Sequence, residues 1–222
     1  EPVRRGPMRA LWLEGTWAAE GGCNTARELR SLAALKVIPS VGIDQSGAFL
    51  EQGRVLAKAA GLEPRLIEAD IYDLPDDVGT FDLVLVTIGV LNWMPDLGGF
   101  FRVIAGLLGP GGHLLVYETH PVMEMFDPES DTPHEPAISY FRTDPLKEEG
   151  LISYDGVDHG SGETGYWFIH TLGQIVTSCA TAGMTITSLK EFGYSIREPE
   201  YDVYEGREAQ IPMSYLLHAR KM

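Results

Sequence analysis

The residues that could do chemistry cluster at three places in the first third of the chain. Glu20-Gly21-Gly22-Cys23-Asn24-Thr25-Ala26-Arg27-Glu28 is an acidic loop containing glycines, Asp44-Gln45-Ser46 follows one apolar run, and Asp70-Ile71 follows another. Asp44 stands 24 positions after Glu20, a span of one helix plus one strand, which is the placement a carboxylate needs to take both hydroxyls of a ribose. Asp70, one strand further on, can reach the exocyclic amine of an adenine or cap the turn that follows it. The backbone from Glu20 to Gly22 would then pass beneath the sugar and its substituent. Together these residues point to an adenosine ligand.

Placing such residues requires strands that end at one edge, and the pattern supplies them. Thr25 to Lys36 carries Leu29, Leu32, Ala33 and Leu35 at helical spacing, Ser40 to Ile43 is a short apolar strand ending at Asp44, and Ser46 caps a helix running to Ala60, where Gly61 stops it. Arg65 to Ala69 predicts a third strand, Phe81 to Val86 a buried fourth, Leu97 to Leu108 a helix closed by Pro110-Gly111-Gly112, and His113 to Glu118 a fifth strand. Five βα units in succession predict an α/β fold with a doubly wound, mostly parallel sheet and helices on both faces. Glu14 to Ala19 makes a poor first strand by residue type. A helix over Thr171 to Ala182, a strand over Thr185 to Phe192 and a last strand over Ser214 to Ala219 follow. An acidic loop joins the last two, which permits an antiparallel last strand, paired at the sheet edge with the one before it.

Between them, residues 121–170 lose all period and gather Phe126, Tyr140, Phe141, Tyr154, Tyr166, Trp167 and Phe168. This segment reads as an insertion over a substrate site, a lid on one domain spanning 1–222, because 222 residues at 44% hydrophobic content hardly fill two cores. In such a sheet, chemistry sits beyond the carboxyl ends of the strands. Thr87, Asn92 and Trp93 after the fourth strand and His120 after the fifth therefore join the candidates. Asn92 and Trp93 can line the site or be cap and core residues, and His120 can be a general base or an ordinary loop histidine. Tyr117 and Glu118 are the other titratable groups near that strand end.

Composition narrows the partners. Seventeen Lys plus Arg against 32 Asp plus Glu give a net charge of −15, a field that repels phosphate backbones and anionic lipid head groups. A small-molecule substrate is expected, with no nucleic acid, no membrane and no metal, in a monomer or homodimer. Cys23 and Cys179 lie far apart and lack ligand spacing, which suits a reducing cytoplasm. No apolar run reaches 18 residues and no charged segment precedes an apolar one at the start, so neither membrane insertion nor secretion is expected.

In five ordered blocks the chain resembles the class I S-adenosylmethionine-dependent methyltransferases, in particular the small-molecule group with a type 11/12 core. Glu20, Gly22, Cys23, Thr25 and Arg27 match that family's (D/E)xGCGTGR loop, Val41-Gly42-Ile43-Asp44-Gln45-Ser46 its VGIDxS block, and Glu68-Ala69-Asp70-Ile71 with Leu74-Pro75 its GDAxxLP block. "FDLVLVTIGVLNWMPDL" and "IAGLLGPGGHLLVYE" resemble its fourth strand and its LkPGGxLl turn. Asn24 and Ala26 stand where the family has glycine; Asn24 enters the left-handed region more readily than most residues, and Ala26 adds a methyl group at the helix start. The resemblance implies a Rossmann-like fold, S-adenosylmethionine as cofactor and S-adenosylhomocysteine as product. It also implies a cofactor site drawn from Glu20, Gly21, Gly22, Cys23, Asn24, Arg27, Asp44, Gln45, Asp70, Ile71, Thr87, Asn92 and Trp93. The reaction implied is in-line displacement at the sulfonium methyl. Two other classes fit the same residues in part. A protein that holds an adenosine ligand without turnover would tolerate the altered loop, while a nicotinamide-dependent oxidoreductase would share the ribose carboxylate but require GxGxxG, which Asn24 and Ala26 break.

Overall fold

The computed structural model describes residues 13–149, 164–196 and 199–222. Within them, seven strands form one sheet: β1 (Trp17–Gly21), β2 (Ile38–Asp44), β3 (Arg65–Glu68), β4 (Phe81–Thr87), β5 (Leu108–Thr119), β8 (Met184–Phe192) and β9 (Ser214–Lys221), in the order β3-β2-β1-β4-β5-β9-β8. The pairs among β1 to β5 are parallel, and β9 runs antiparallel to both its neighbours. The α/β expectation holds. The last two strands pair antiparallel at one sheet edge as expected, with β8 outermost, because the long loop after β8 lets β9 return into the gap beside β5.

Both faces are covered. The helix α1 (Arg27–Ser31), its 3-10 continuation Leu32–Leu35, and α2 (Gly47–Ala59) carry Leu29, Leu32 and Leu50 onto one face, against Leu83, Leu85 and Leu115. The helices α3 (Leu97–Leu107) and α4 (Leu172–Thr181) bring Phe100, Phe101, Ile104 and Ile175 onto the other, against Val84, Val86, Leu114 and Val116. Alternate residues of β4 thus enter opposite clusters, which is why that strand reads as a continuous apolar run.

Three expectations change. Trp17–Gly21, poor as a strand by residue type, is an interior strand: Ala18 and Ala19 are fully buried in opposite clusters, and ladders to β2 and β4 fix both edges. Small residues suit a strand covered on both faces, and hydrogen bonds to two neighbours outweigh weak intrinsic propensity. The crossover from β3 to β4 contains no helix; residues 69–80, with Pro75, run as turns, so the alternation is not five full βα units. The strand β5 starts at Leu108, ahead of the expected turn at Pro110-Gly111-Gly112, which it absorbs as a register irregularity opposite Phe81 to Leu83.

The 121–170 segment contains a 3-10 turn at Pro121–Met125 and a two-stranded antiparallel ribbon of β6 (Leu146–Glu149) and β7 (Thr164–Trp167). Of its aromatics, Tyr154 lies outside the described residues. The ribbon returns onto the segment after β4: the Phe168 amide donates to the Asn92 carbonyl at 2.7 Å, the Asn92 side-chain amide donates to the Phe168 carbonyl at 3.0 Å, and Trp167 meets Trp93 edge to face at 5.3 Å.

Candidate functional site

A cavity of about 400 Å³ opens over the carboxyl ends of β1 to β4. Its floor is Gly22, in the turn that leaves β1. Gly22 has φ +69, and a Cβ built there would come within 2.7 Å of Val90 Cγ2, so both the backbone angle and the space demand glycine. Asn24 (φ 50) and Ala26 (φ 53) are also left-handed. Asn24 steadies itself by accepting the Thr25 amide on its side-chain oxygen at 2.7 Å. Ala26 has more to pay than an added methyl: as the residue preceding α1 it sits in a region that costs an L-residue roughly 1–2 kcal/mol.

Asp44 lines the cavity. One of its oxygens accepts the Asn24 amide at 2.7 Å and the other accepts the Ser46 amide at 2.9 Å, so the carboxylate ties the glycine loop to the start of α2. A carboxylate accepts about four hydrogen bonds, which leaves capacity on the cavity side. Asp70, exposed, also lines it and accepts the Tyr72 amide at 2.9 Å. It therefore caps its own turn and lines the cavity at once. Gln45, Ile71 and Trp93 complete the expected residues in this lining.

The other candidates lie elsewhere. Glu20 is buried with its side chain turned into the protein, where one oxygen accepts the Leu29 amide at 3.0 Å and the other accepts the Thr87 hydroxyl at 3.0 Å. Glu20 and Thr87 thus pin β1, β4 and the start of α1 together rather than lining the cavity. Gly21 is buried beneath the turn, and Arg27 is exposed outside the lining. Cys23 is buried against Gly42, and burial with Glu20 and Asp44 nearby raises its thiol far above the usual range. Asn92 faces away from the cavity and holds the returning β7 segment.

His120, the expected base, is a correction. It lies outside the cavity, buried, with Nδ1 accepting the Val122 amide at 3.1 Å and Nε2 2.9 Å from a Glu191 oxygen. The amide fixes the proton of the neutral ring on Nε2, where it donates to the carboxylate. Both nitrogens are committed, and the residue caps the Pro121–Met125 turn. Burial lowers its pKa, and Glu191 partly offsets the effect. Tyr117 also points away, into the opposite cluster, where it meets Phe192 edge to face.

Glu118 is the residue near β5 that the geometry singles out. It is buried and accepts the backbone amides of Gly89 and Leu91, the latter at 3.2 Å. It therefore holds the segment whose Gly89, Val90 and Trp93 wall the cavity. Ile88, at the root of that segment, has φ 26, an uncommon angle for a β-branched residue and a mark of a backbone held by its surroundings. Tyr72 is the lining residue that sequence reasoning missed: its hydroxyl both donates to the Asp96 carbonyl and accepts the Asp96 amide, and the loop that brings it there carries no motif.

Residues 19–116 match the family model for a methyltransferase domain. Over that stretch the chain is similar to a methyltransferase domain. The matched stretch runs from β1 into β5 and contains every cavity-lining residue named above. The chain is 40% identical over 84 residues to the demethylmenaquinone methyltransferase of Thermus thermophilus, a stretch covering 36% of each protein. It thus spans about a third of the length of that curated relative. Among solved structures, it superposes with a TM-score of 0.65 and 20% identity on an S-adenosylmethionine-dependent methyltransferase from Mesorhizobium loti, covering 96% of this chain and 95% of the other. A Listeria monocytogenes protein provisionally assigned to the same class gives 0.67 and 18%, covering 95% and 92%. At such identities, the likeness to these structures is one of fold.

Proposed function

We propose that the chain is an S-adenosylmethionine-dependent methyltransferase acting on a small-molecule acceptor, with the cavity over β1 to β4 as its cofactor site. The observation that carries this reading is the bare backbone at Gly22, which lines one cavity together with two carboxylates, Asp44 and Asp70. An adenosine with an amino-acid tail requires that arrangement: an acceptor for the ribose hydroxyls, an acceptor for the adenine amine, apolar walls between them, and a close backbone pass beneath the sugar. Ile43, Phe49, Ile71 and Met94 supply the apolar walls. Among the described residues lining the cavity none is Lys or Arg, which suits a sulfonium cation better than a pyrophosphate.

When bound, S-adenosylmethionine supplies an activated methyl group that an acceptor displaces in line. The chain's part is to orient and enclose. Asp44 fixes the ribose, Asp70 the adenine, and the Glu118-held segment with Trp93 shapes the wall beside the reacting groups. Residues 121–170 act as a lid on the same domain, and their contact through Trp167 and Phe168 onto Trp93 and Asn92 supports that role by excluding water from this side. The relative named for demethylmenaquinone supports a small molecule as acceptor. Two free, buried cysteines suit the cytoplasm, and among the described residues no helix is long and apolar enough to cross a membrane.

Calorimetric titration with S-adenosylmethionine, S-adenosylhomocysteine and NAD tests the reading. Saturable binding of the two sulfur ligands is expected, with NAD weak or silent. Binding of NAD alone would overturn it.

A further inference from the structure

A second depression, of about 440 Å³, lies at the opposite end of the strands from the cofactor cavity. It is lined by Gly111 near the start of β5, Thr185 and Thr187 on β8, and Arg220 and Lys221 at the end of β9. From its first residue, Leu108, which lies opposite Phe81 at the start of β4, β5 runs 12 residues to Thr119, roughly 35–40 Å. A ligand held in this depression therefore stays clear of the reacting groups. Arg220 sits at its middle, opposite His113 on one neighbouring strand and Thr185 on the other. The ladder between β8 and β9 slips between Ile186 and Ser188, which leaves Thr187 out of register and turned onto His218, with its hydroxyl donating to the His218 carbonyl at 3.1 Å.

The charges here are uncompensated. The chain holds 32 acidic residues against 17 Lys plus Arg, yet among the described residues neither Arg220 nor Lys221 forms an ion pair. Each is instead fixed by backbone: Arg220 Nε donates to the Gly111 carbonyl at 3.1 Å, and Lys221 Nζ donates to the Leu108 carbonyl at 2.6 Å. A carbonyl orients a cation without neutralising it. The two terminal nitrogens of the Arg220 fork, the other ammonium hydrogens of Lys221 and the Thr185 hydroxyl are left as donors. The field reaches the neighbouring strand, where burial lowers the His113 pKa and Arg220 lowers it further, by more than Asp82 raises it.

Donors that converge from two strands suit a tetrahedral oxyanion, which accepts from several directions, better than a planar carboxylate. The net charge of −15 does not oppose this for a small ion. At 0.1 M salt, charges more than about 10 Å away are largely screened, so the unpaired cations beside the ion decide. A long polyanion, by contrast, meets the repulsion of the whole chain.

We propose that this depression is a binding site for a phosphate group, free or carried as a small monoester, held by Arg220 and Lys221 with the Thr185 hydroxyl. The site is separate from the cofactor cavity and does not depend on the methyltransferase reading.

Amide signals of ¹⁵N-labelled protein, followed at fixed pH and ionic strength while sodium phosphate replaces sodium chloride, read the site directly. Phosphate should shift Thr185 and Arg220 saturably, with Kd on the order of 1 mM, the range that a few charged hydrogen bonds to a five-atom ion allow, while Gly22 and Asp44 stay still. Arg220→Gln should weaken binding about tenfold or more, as loss of a charged hydrogen bond implies. Lys58→Gln, which removes one exposed cation from α2, should leave it unchanged. Glycerol 2-phosphate, with glycerol as its neutral counterpart, distinguishes the two sources. Binding as tight as that of the ion assigns the site to a carried phosphate, weaker binding assigns it to the free ion, and either upholds the site. No saturable shift of Thr185 and Arg220 in the wild-type protein, or equal weakening by Arg220→Gln and Lys58→Gln, would overturn it; the first outcome needs no variant to fold.

Discussion

Replacing Asp44 with alanine separates the two duties that the geometry gives this carboxylate. Its oxygens already accept the Asn24 and Ser46 amides at 2.7 and 2.9 Å, and about two of its four accepting positions remain for a ribose. Hydrogen bonds to a charged group are worth roughly 1.5–3 kcal/mol each. Loss of even one to the ribose weakens cofactor binding about tenfold, and loss of two weakens it a hundredfold or more. The two backbone amides lose a partner as well, but they sit at a half-buried position where water can reach them. About 1 kcal/mol each is the appropriate scale, or roughly 2–4 °C in melting temperature per kcal/mol for a domain of this size. Calorimetry with S-adenosylhomocysteine and a thermal melt on the same preparation measure the two losses independently. A folded variant that melts a few degrees lower yet binds with unchanged affinity would show that Asp44 serves the loop alone, and would refute its ribose role.

Gly22→Ala should cost roughly 2–5 kcal/mol in urea unfolding, from the left-handed angle and the overpacking against Val90 combined; an unchanged midpoint would mean that the turn does not hold φ +69. Stability should also fall on the acid side. His113 Nδ1 lies 2.9 Å from His218 Nε2, and burial lowers both values, with Arg220 adding to the effect at His113 and His113 at His218. A depressed histidine contributes stability that is complete above its ordinary value of about 6.5 and is lost as pH falls toward the folded value. Unfolding free energy should therefore decline below about pH 6.5, less steeply in His218→Gln; a flat wild-type profile through that range would contradict the assignment.

Much of this was legible because it rests on local chemistry. Asp44 and Asp70 end apolar strands, and Ser46 caps α2 as its side chain predicts, accepting the Phe49 amide. The first strand, interior to the sheet, was not legible. Ala18 and Ala19 have little strand propensity of their own, and their place follows from neighbours on both edges that no local pattern reports. By sequence Glu20 reads as a ligand residue, because its position in the loop is the same whether its carboxylate turns outward or inward. Only the Leu29 amide and the Thr87 hydroxyl, nine and 67 residues away, decide that it turns inward.

The hold of Glu118 on Gly89 and Leu91 has a thermodynamic consequence. One carboxylate fixes a short segment that walls the cavity through Gly89, Val90 and Trp93 and meets the returning β7 segment through Asn92, so a displacement of that segment is felt on both sides. Reciprocity then requires that whatever factor the cofactor applies to the affinity of a second ligand resting against that segment, the second ligand applies to the cofactor.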